Sequence, residues 1–212
     1  MISLSSYEMD ITKELIHIAL SNAADAFSKL AKERVLIKGY DLKILDKEDY
    51  YRIMEKEQHQ QLYVLTTNIK GKLDGKSFLL IDQQDAKKIF KVFSPSHEQV
   101  SPEGLSEFQQ GILLELDNIL TAAMVTQLSN ILDLFTYGDV PKLDFFSQSQ
   151  IKEYFKESIE NFDFVLNIDA RFQSFDTNMS PSFIWFFKSE LLLAVQNLIK
   201  EKKHLSLVKN SK

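Results

Sequence analysis

Two polar side chains inside an apolar run are the first residues with chemical potential. In "GILLELDNILTAAM", residues 111–124, Glu115 and Asn118 stand three positions apart among leucines and isoleucines. On a helix, side chains at i and i+3 share a face, about 5 to 6 Å apart at Cβ, so both can address one small target. A carboxylate placed there can grip a cation, and a carboxamide can both donate to and accept from a water. Neither is a strong nucleophile. The pair therefore suits orienting water against an electrophile that another molecule supplies, although the same spacing also fits a plain solvated helix face.

Other chemistries are thinly represented. The chain has no cysteine, which removes disulfides and thiolate metal sites and fits a reducing compartment. Its four histidines, His17, His59, His97 and His204, include no pair at metal-ligand spacing, so no metal site is expected. No Gly-rich phosphate loop, G-x-S-x-G elbow or kinase motif occurs among only six glycines. Net charge is −5 and the lysines are scattered, which argues against nucleic-acid binding. The N-terminal stretch "MISLSSYEMDITKELIHIAL" lacks a basic region and a cleavage site, and no apolar run reaches the ~18 residues of a membrane span. A cytoplasmic protein with no membrane insertion is expected.

The elements that must position the pair come next. Apolar residues at Ile11, Leu15, Ile18, Ala23, Phe27 and Leu30 predict a long helix from Asp10 to about Lys32. "RVLIKGYDLKIL" reads as a strand, "DKEDYYRIMEK" as a short helix capped by Asp46, and "QLYVLTTNIKGKLDGKSFLLI" as two strands joined at Asp74-Gly75. A helix over "DQQDAKKIFKVF" follows, and "SPSHEQVSPEG" reads as a linker. The order then recurs: a helix from about Leu105 to Leu134, a strand at "VPKLDFF", a helix at "SQSQIKEYFKES", strands at "FDFVLNIDARFQSF" and "PSFIWFF", and a helix at "KSELLLAVQNLIKE".

Residues match at a constant offset of 101: Glu14 with Glu115, Leu15 with Leu116, Ile18 with Ile119, Ser28 with Ser129, and "YVL" at 63 with "FVL" at 164. The expectation is one internally duplicated, pseudo-twofold domain of α/β (α+β) class over residues 1–212, with its helices on an antiparallel sheet. The repeats run from about 8 to 93 and 104 to 200, around a linker at 94–103 and before a polar tail. Each long helix then carries a polar stripe. The first is Asp10, Glu14, His17, Ser21, Asp25 and Ser28; the second is Gly111, Glu115, Asn118, Ala122, Thr126 and Ser129.

At these residues a family resemblance emerges. "ELIHIALSNAADAFSKLAKERVLI" resembles the first helix of the CheC family of chemotaxis proteins (CheC/CheX-like), which runs Glu-Ile-Gly-Asn-Ile-Gly-x-Gly-x-Ala-Ala-x-Ala-Leu-Ser. Glu14, Ile18, Ala23, Ala24, Ala26 and Ser28 are kept, while His17 replaces the Asn and Ala19 and Ser21 replace glycines. The family's site pattern is Asp or Ser, three residues, Glu, two residues, Asn, then twenty-two residues and Pro. Glu115, Asn118 and Pro141 fit it, with Gly111 in place of the Asp or Ser. In the first half Asp10 and Glu14 fit, but His17 and Tyr40 stand where Asn and Pro are expected, which marks that site as degenerate.

The resemblance implies a phosphatase acting on the aspartyl phosphate of a CheY-type response regulator. Glu115 would pair with the regulator's lysine and Asn118 would orient the attacking water. No cofactor of its own is expected, because the regulator contributes the Mg²⁺ and the phosphoryl group. Alternatives are a non-catalytic adaptor for a response regulator or a CheD-like deamidase, and a flagellar-switch component. The last is disfavoured because switch proteins carry a further C-terminal domain. Trp185, within "FIWFF", is expected in a buried strand, and His59 in a solvated loop entry.

Overall fold

The computed structural model describes residues 4–56, 61–93, 100, 104–174 and 177–201. His59, His97, His204, most of the expected linker and nearly all of the tail lie outside these residues. The described elements run in the order α1 (Ser6–Ala31), β1 (Val35–Leu45), α2 (Lys47–Lys56), β2 (Leu62–Gly71), β3 (Gly75–Asp82) and α3 (Gln83–Phe93). Then come α4 (Glu107–Leu132), β4 (Thr136–Gly138), β5 (Lys142–Phe146), α5 (Gln148–Ile159), β6 (Phe164–Ser174), β7 (Thr177–Met179), β8 (Ser182–Phe187) and α6 (Glu190–Lys200). The expected α+β class is observed: among the described residues, six helices pack on one eight-stranded sheet whose pairings are all antiparallel.

The sheet order is β1-β6-β8-β3-β2-β4, with β5 also paired to β2 and β7 to β6. The strand after each long helix therefore joins the other half: β1 lies beside β6, and β4 and β5 lie beside β2. β3 and β8 meet at the centre in the register Gly75 with Phe187 through Leu80 with Ser182. Neither half can close a core without the other.

Both faces of the central strands are covered. Leu79, Ile81, Phe183 and Trp185 turn to a core shared with α1, α3, α4 and α6. Phe78, Leu80, Ile184 and Phe186 turn to a second core under α2 and α5. Two-sided burial explains why "FLLI" and "FIWFF" are continuous apolar runs rather than alternating ones. It also explains much of the heavy Phe content, because Phe78, Phe155 and Phe186 stack edge to face there with centroids 4.7 and 4.9 Å from Phe78. Trp185 is fully buried, as expected of its strand.

Local rules set the long helices. Ser5 and Ser106 cap α1 and α4, each in a reciprocal capping box with the residue three on, Glu8 or Gln109. The first helix thus begins before Asp10, where its apolar pattern starts. Each ends on a left-handed residue, Lys32 at φ 54° and Asp133 at φ 55°. The hydroxyls of Ser28 and Ser129 then accept from the backbone N–H groups of Val35 and Thr136, at 2.9 and 3.3 Å, tying each helix to the strand that follows.

Three readings need correction. α4 stops at Leu132 instead of Leu134, because Asp133 reverses the chain into β4. β4 and β7 were not foreseen: each has three residues, too few to show a period. α4 is also long and apolar enough to cross a membrane by length and composition, where no such stretch was expected. Here it is a core helix, with Leu113, Leu116, Leu120, Met124 and Leu128 buried against the sheet and α1.

The serine ties give a test. Ser28→Ala and Ser129→Ala are each expected to lower the unfolding free energy by about 1 to 2 kcal/mol, since each leaves a backbone N–H without its partner. Urea denaturation checks this, and unchanged midpoints would show the ties to be dispensable.

Candidate functional site

α1 and α4 pack against each other on one face of the sheet. On α4 the inward residues are Leu113, Leu116, Asp117, Leu120, Thr121 and Met124, and the outward line Gly111, Glu115, Asn118, Ala122 and Thr126 is exposed. Glu115 and Asn118 are thus on one solvent-facing surface of a rigid helix. Pro141 is buried elsewhere, in the interruption between β4 and β5. Proline has no N–H for the ladder, so the strand that could run unbroken beside β2 is split there. The split is anchored by the Asp139 N–H donating to Asn68 O at 2.8 Å and by the Lys70 to Asp139 ion pair at 2.5 Å, with Val140 exposed at its tip.

The first stripe is arranged differently. Asp10 and His17 are exposed and Glu14 is half-buried on α1. Tyr40, which replaces the expected Pro, keeps its ladder position opposite Ala170, and β1 runs as one strand from Val35 to Leu45 with a register shift between Ile37 and Gly39. Its hydroxyl donates to Lys13 O at 3.1 Å, and its ring lies 5.7 Å from the His17 ring. Burial, helped by the nearby Glu14 charge, pushes the Tyr40 hydroxyl pKa above its ordinary value. A groove of about 530 Å³ between α1 and β1 is lined by His17, Ser21, Asp25 and Tyr40.

Gly111 is not required by packing. A Cβ added there meets no atom within 4 Å, so a larger side chain fits the position.

One residue escaped the sequence reading. Asp117, between the two candidate residues, is fully buried on the opposite side of α4. Thr67 Oγ1 on β2 donates to one of its oxygens at 2.7 Å, and Thr121 Oγ1 donates to the other at 3.0 Å. Ser77 of β3 stands behind, 3.4 Å from the Thr121 hydroxyl, and Gly138 of β4 flanks both threonines. Among the described residues no cation pairs with Asp117. Burial pushes its pKa up to about 6, against the partial relief of the two hydroxyls. A signal was present: Asp117 follows Leu113 by four and precedes Leu120 by three, which puts a carboxylate on the apolar stripe.

Among the described residues no group of three His, Cys, Asp or Glu side chains is placed to hold a metal ion.

Comparison of the fold with solved structures gives clear likenesses. FliY from Thermotoga maritima matches with a TM-score of 0.71 at 16% identity, covering 95% of this chain and 100% of that one. The FliM middle domain from Vibro alginolyticus matches with a TM-score of 0.59 at 7% identity, covering 89% and 99%. Chemotaxis protein CheX from Vibrio vulnificus matches with a TM-score of 0.50 at 14% identity, covering 82% and 99%. The chain has the CheC/CheX-like fold. No family model matches the sequence, and no curated protein matches it. In this CheC/CheX-like fold the element carrying Glu115 and Asn118 is the second long helix, and Asp10, Glu14 and His17 are on the first.

Two predictions follow from the geometry of α4. Gly111→Ala removes an interior helix glycine with no clash, so it is expected to raise stability by roughly 0.5 to 1 kcal/mol; a drop in the urea midpoint would contradict the open space at Gly111.

The second concerns pH. Asp117 holds its proton more tightly folded, at about 6, than at the ordinary 3.8, so the folded state binds more protons between those values. Its contribution to stability is full below the unfolded value and is lost as pH rises through about 6. The loss is on the order of 3 kcal/mol for a shift of about two pKa units. Asp117→Asn is expected to flatten the stability profile between pH 4 and 7, and an unaltered slope in urea melts would reject the assignment.

Proposed function

We propose that this protein is a CheC-like phosphatase that hydrolyses the aspartyl phosphate of a CheY-type response regulator. The observation carrying the proposal is the exposed Glu115 and Asn118 pair on one face of α4, at the family's sequence spacing from Pro141, within a CheC/CheX-like fold. The pair protrudes from a helix surface, as needed to reach into a partner's site. Glu115 would make a charge-assisted contact with a lysine of the regulator. Asn118 would hold a water by donating through its N–H and accepting at its carbonyl.

The water oxygen attacks phosphorus in line and the bond to the aspartyl oxygen breaks. Inorganic phosphate leaves, and the regulator's carboxylate is regenerated. The regulator supplies the phosphoryl group and its Mg²⁺, so the work left to this chain is positioning. The reading implies a cytoplasmic protein, alongside its regulator. Asp10, Glu14 and His17 form a degenerate second site: the imidazole packs beside Tyr40, and β1 has no proline break.

A second reading is a non-catalytic adaptor that docks a response regulator or a CheD-like deamidase through the same face. The absence of a side chain at Gly111 and the His17 replacement favour it.

The readings separate in one assay: phosphorylate candidate regulators, add this protein, and follow phosphate loss. Acceleration is expected, with Glu115→Ala and Asn118→Ala each slowing it about 100-fold or more and Glu14→Ala leaving it unchanged. Binding of regulators without faster phosphate loss from any of them would favour the adaptor.

A further inference from the structure

The outward pair is only as well placed as the helix that carries it, and α4 is held in a way that α1 is not. At the positions 101 residues earlier than Asp117 and Thr121, α1 has Ile16 and Leu20, both buried. The geometry of the layer therefore does not call for polar groups there. Burying a carboxylate without a counter-charge works against stability, so its presence under one helix and not the other needs a separate reason.

We infer that Asp117 is a positioning residue for the Glu115 and Asn118 face, fixing the rotation of α4 on the sheet through the Thr67 hydroxyl of β2, with Thr121 of the same helix holding its other oxygen. The inference rests on the phosphatase reading for what that face does, while the clamp itself stands apart from it. Apolar contacts are non-directional, so a helix held by them alone can rotate or slide slightly at small cost. A carboxylate-to-hydroxyl bond at 2.7 Å to a neighbouring strand is directional and short. Asp117 adjoins Asn118 and is two residues from Glu115, so a fixed direction for one fixes the direction of the others on a rigid helix.

The same two threonines meet the strand that leads to Pro141. A Cβ added at Gly138 of β4 would lie 3.2 Å from Thr67 Cγ2 and 3.8 Å from Thr121 Cγ2, so β4 runs closely over both. Thr67 and Thr121 thus tie together the helix bearing Asn118 and the segment entering the Pro141 interruption. Ser77 extends the tie toward the central strand β3. The helix whose outward pair fits the family pattern has this clamp; the helix with His17 in that place has apolar side chains instead.

The test uses the full chain and three variants. Asp117→Leu supplies the apolar filling of α1, Thr67→Val removes the strand partner, and Asp117→Asn keeps a side chain that can exchange hydrogen bonds with both threonines. Amide hydrogen exchange of the protein alone reads the anchoring. Exchange across residues 113–121 is expected to rise at least about fivefold in Asp117→Leu and Thr67→Val relative to α1, and not in Asp117→Asn. Single-turnover dephosphorylation reads the consequence. The limiting rate is expected to fall about tenfold in the first two variants with the half-saturating regulator concentration nearly unchanged, and to recover in Asp117→Asn.

A folded Asp117→Leu protein with wild-type exchange, or with wild-type rate where the wild type is active, overturns the inference. So does a fall in rate without faster exchange in α4. If Asp117→Leu does not fold, Thr67→Val is judged by the same criteria. If the wild-type protein accelerates phosphate loss from no regulator, the phosphatase reading fails, and the exchange measurement alone decides the clamp.

Discussion

The antiparallel pairing of β3 with β8 at the centre of the sheet is the constraint on which the rest of the structure depends. Because these strands are covered on both faces, each successive residue commits to one of two cores, as Phe78 and Leu79 do on opposite sides. A one-residue slip would exchange the two sets and put Ser77 where Phe78 packs. The register therefore fixes which face receives α1 and α4 and which receives α2 and α5. The crossed edges, β1 beside β6 and β5 beside β2, make that register a property of the whole chain.

Within this frame the two halves diverge where chemistry is expected. β1 is one strand through Tyr40, with a register shift between Ile37 and Gly39, whereas the chain after α4 is cut into β4 and β5 around Asp139, Val140 and Pro141. Ile16 and Leu20 seat α1 by burial alone, whereas Asp117 and Thr121 seat α4 through hydrogen bonds to β2 and within the helix. Both differences run against stability, since one removes ladder bonds and the other buries a charge-capable group. Local rules tend to be broken where a site needs them broken.

Most of the element order was legible because the helices show a 3.6-residue period, and Asp46 and the Asp74-Gly75 turn mark element ends. The outward direction of Glu115 and Asn118 follows from the same period. Three-residue β4 and β7 were not legible, because both are too short to show a period; β4 also pairs with residues far away in sequence, Ile69 to Gly71, while β7 folds back on the end of β6. Asp117 was readable as a carboxylate on an apolar stripe, but not its function, because Thr67 lies fifty residues away and on another element. Gly111 could be read only as a missing side chain until the backbone showed open space above it.

An exposed pair has a physical limitation that the proposed reaction turns into selectivity. Facing water, the Glu115 carboxylate is screened and the Asn118 amide exchanges its hydrogen bonds freely with solvent, so neither can favour one water geometry strongly. Docking against a partner would exclude that solvent and strengthen both interactions only at the moment when the phosphoryl group is in place. A protein with the reactive bond in its own pocket would need to keep that pocket preorganised; here preorganisation falls on the helix. The rigidity of α4 on its sheet, more than any cavity, is then the property that the sequence must protect.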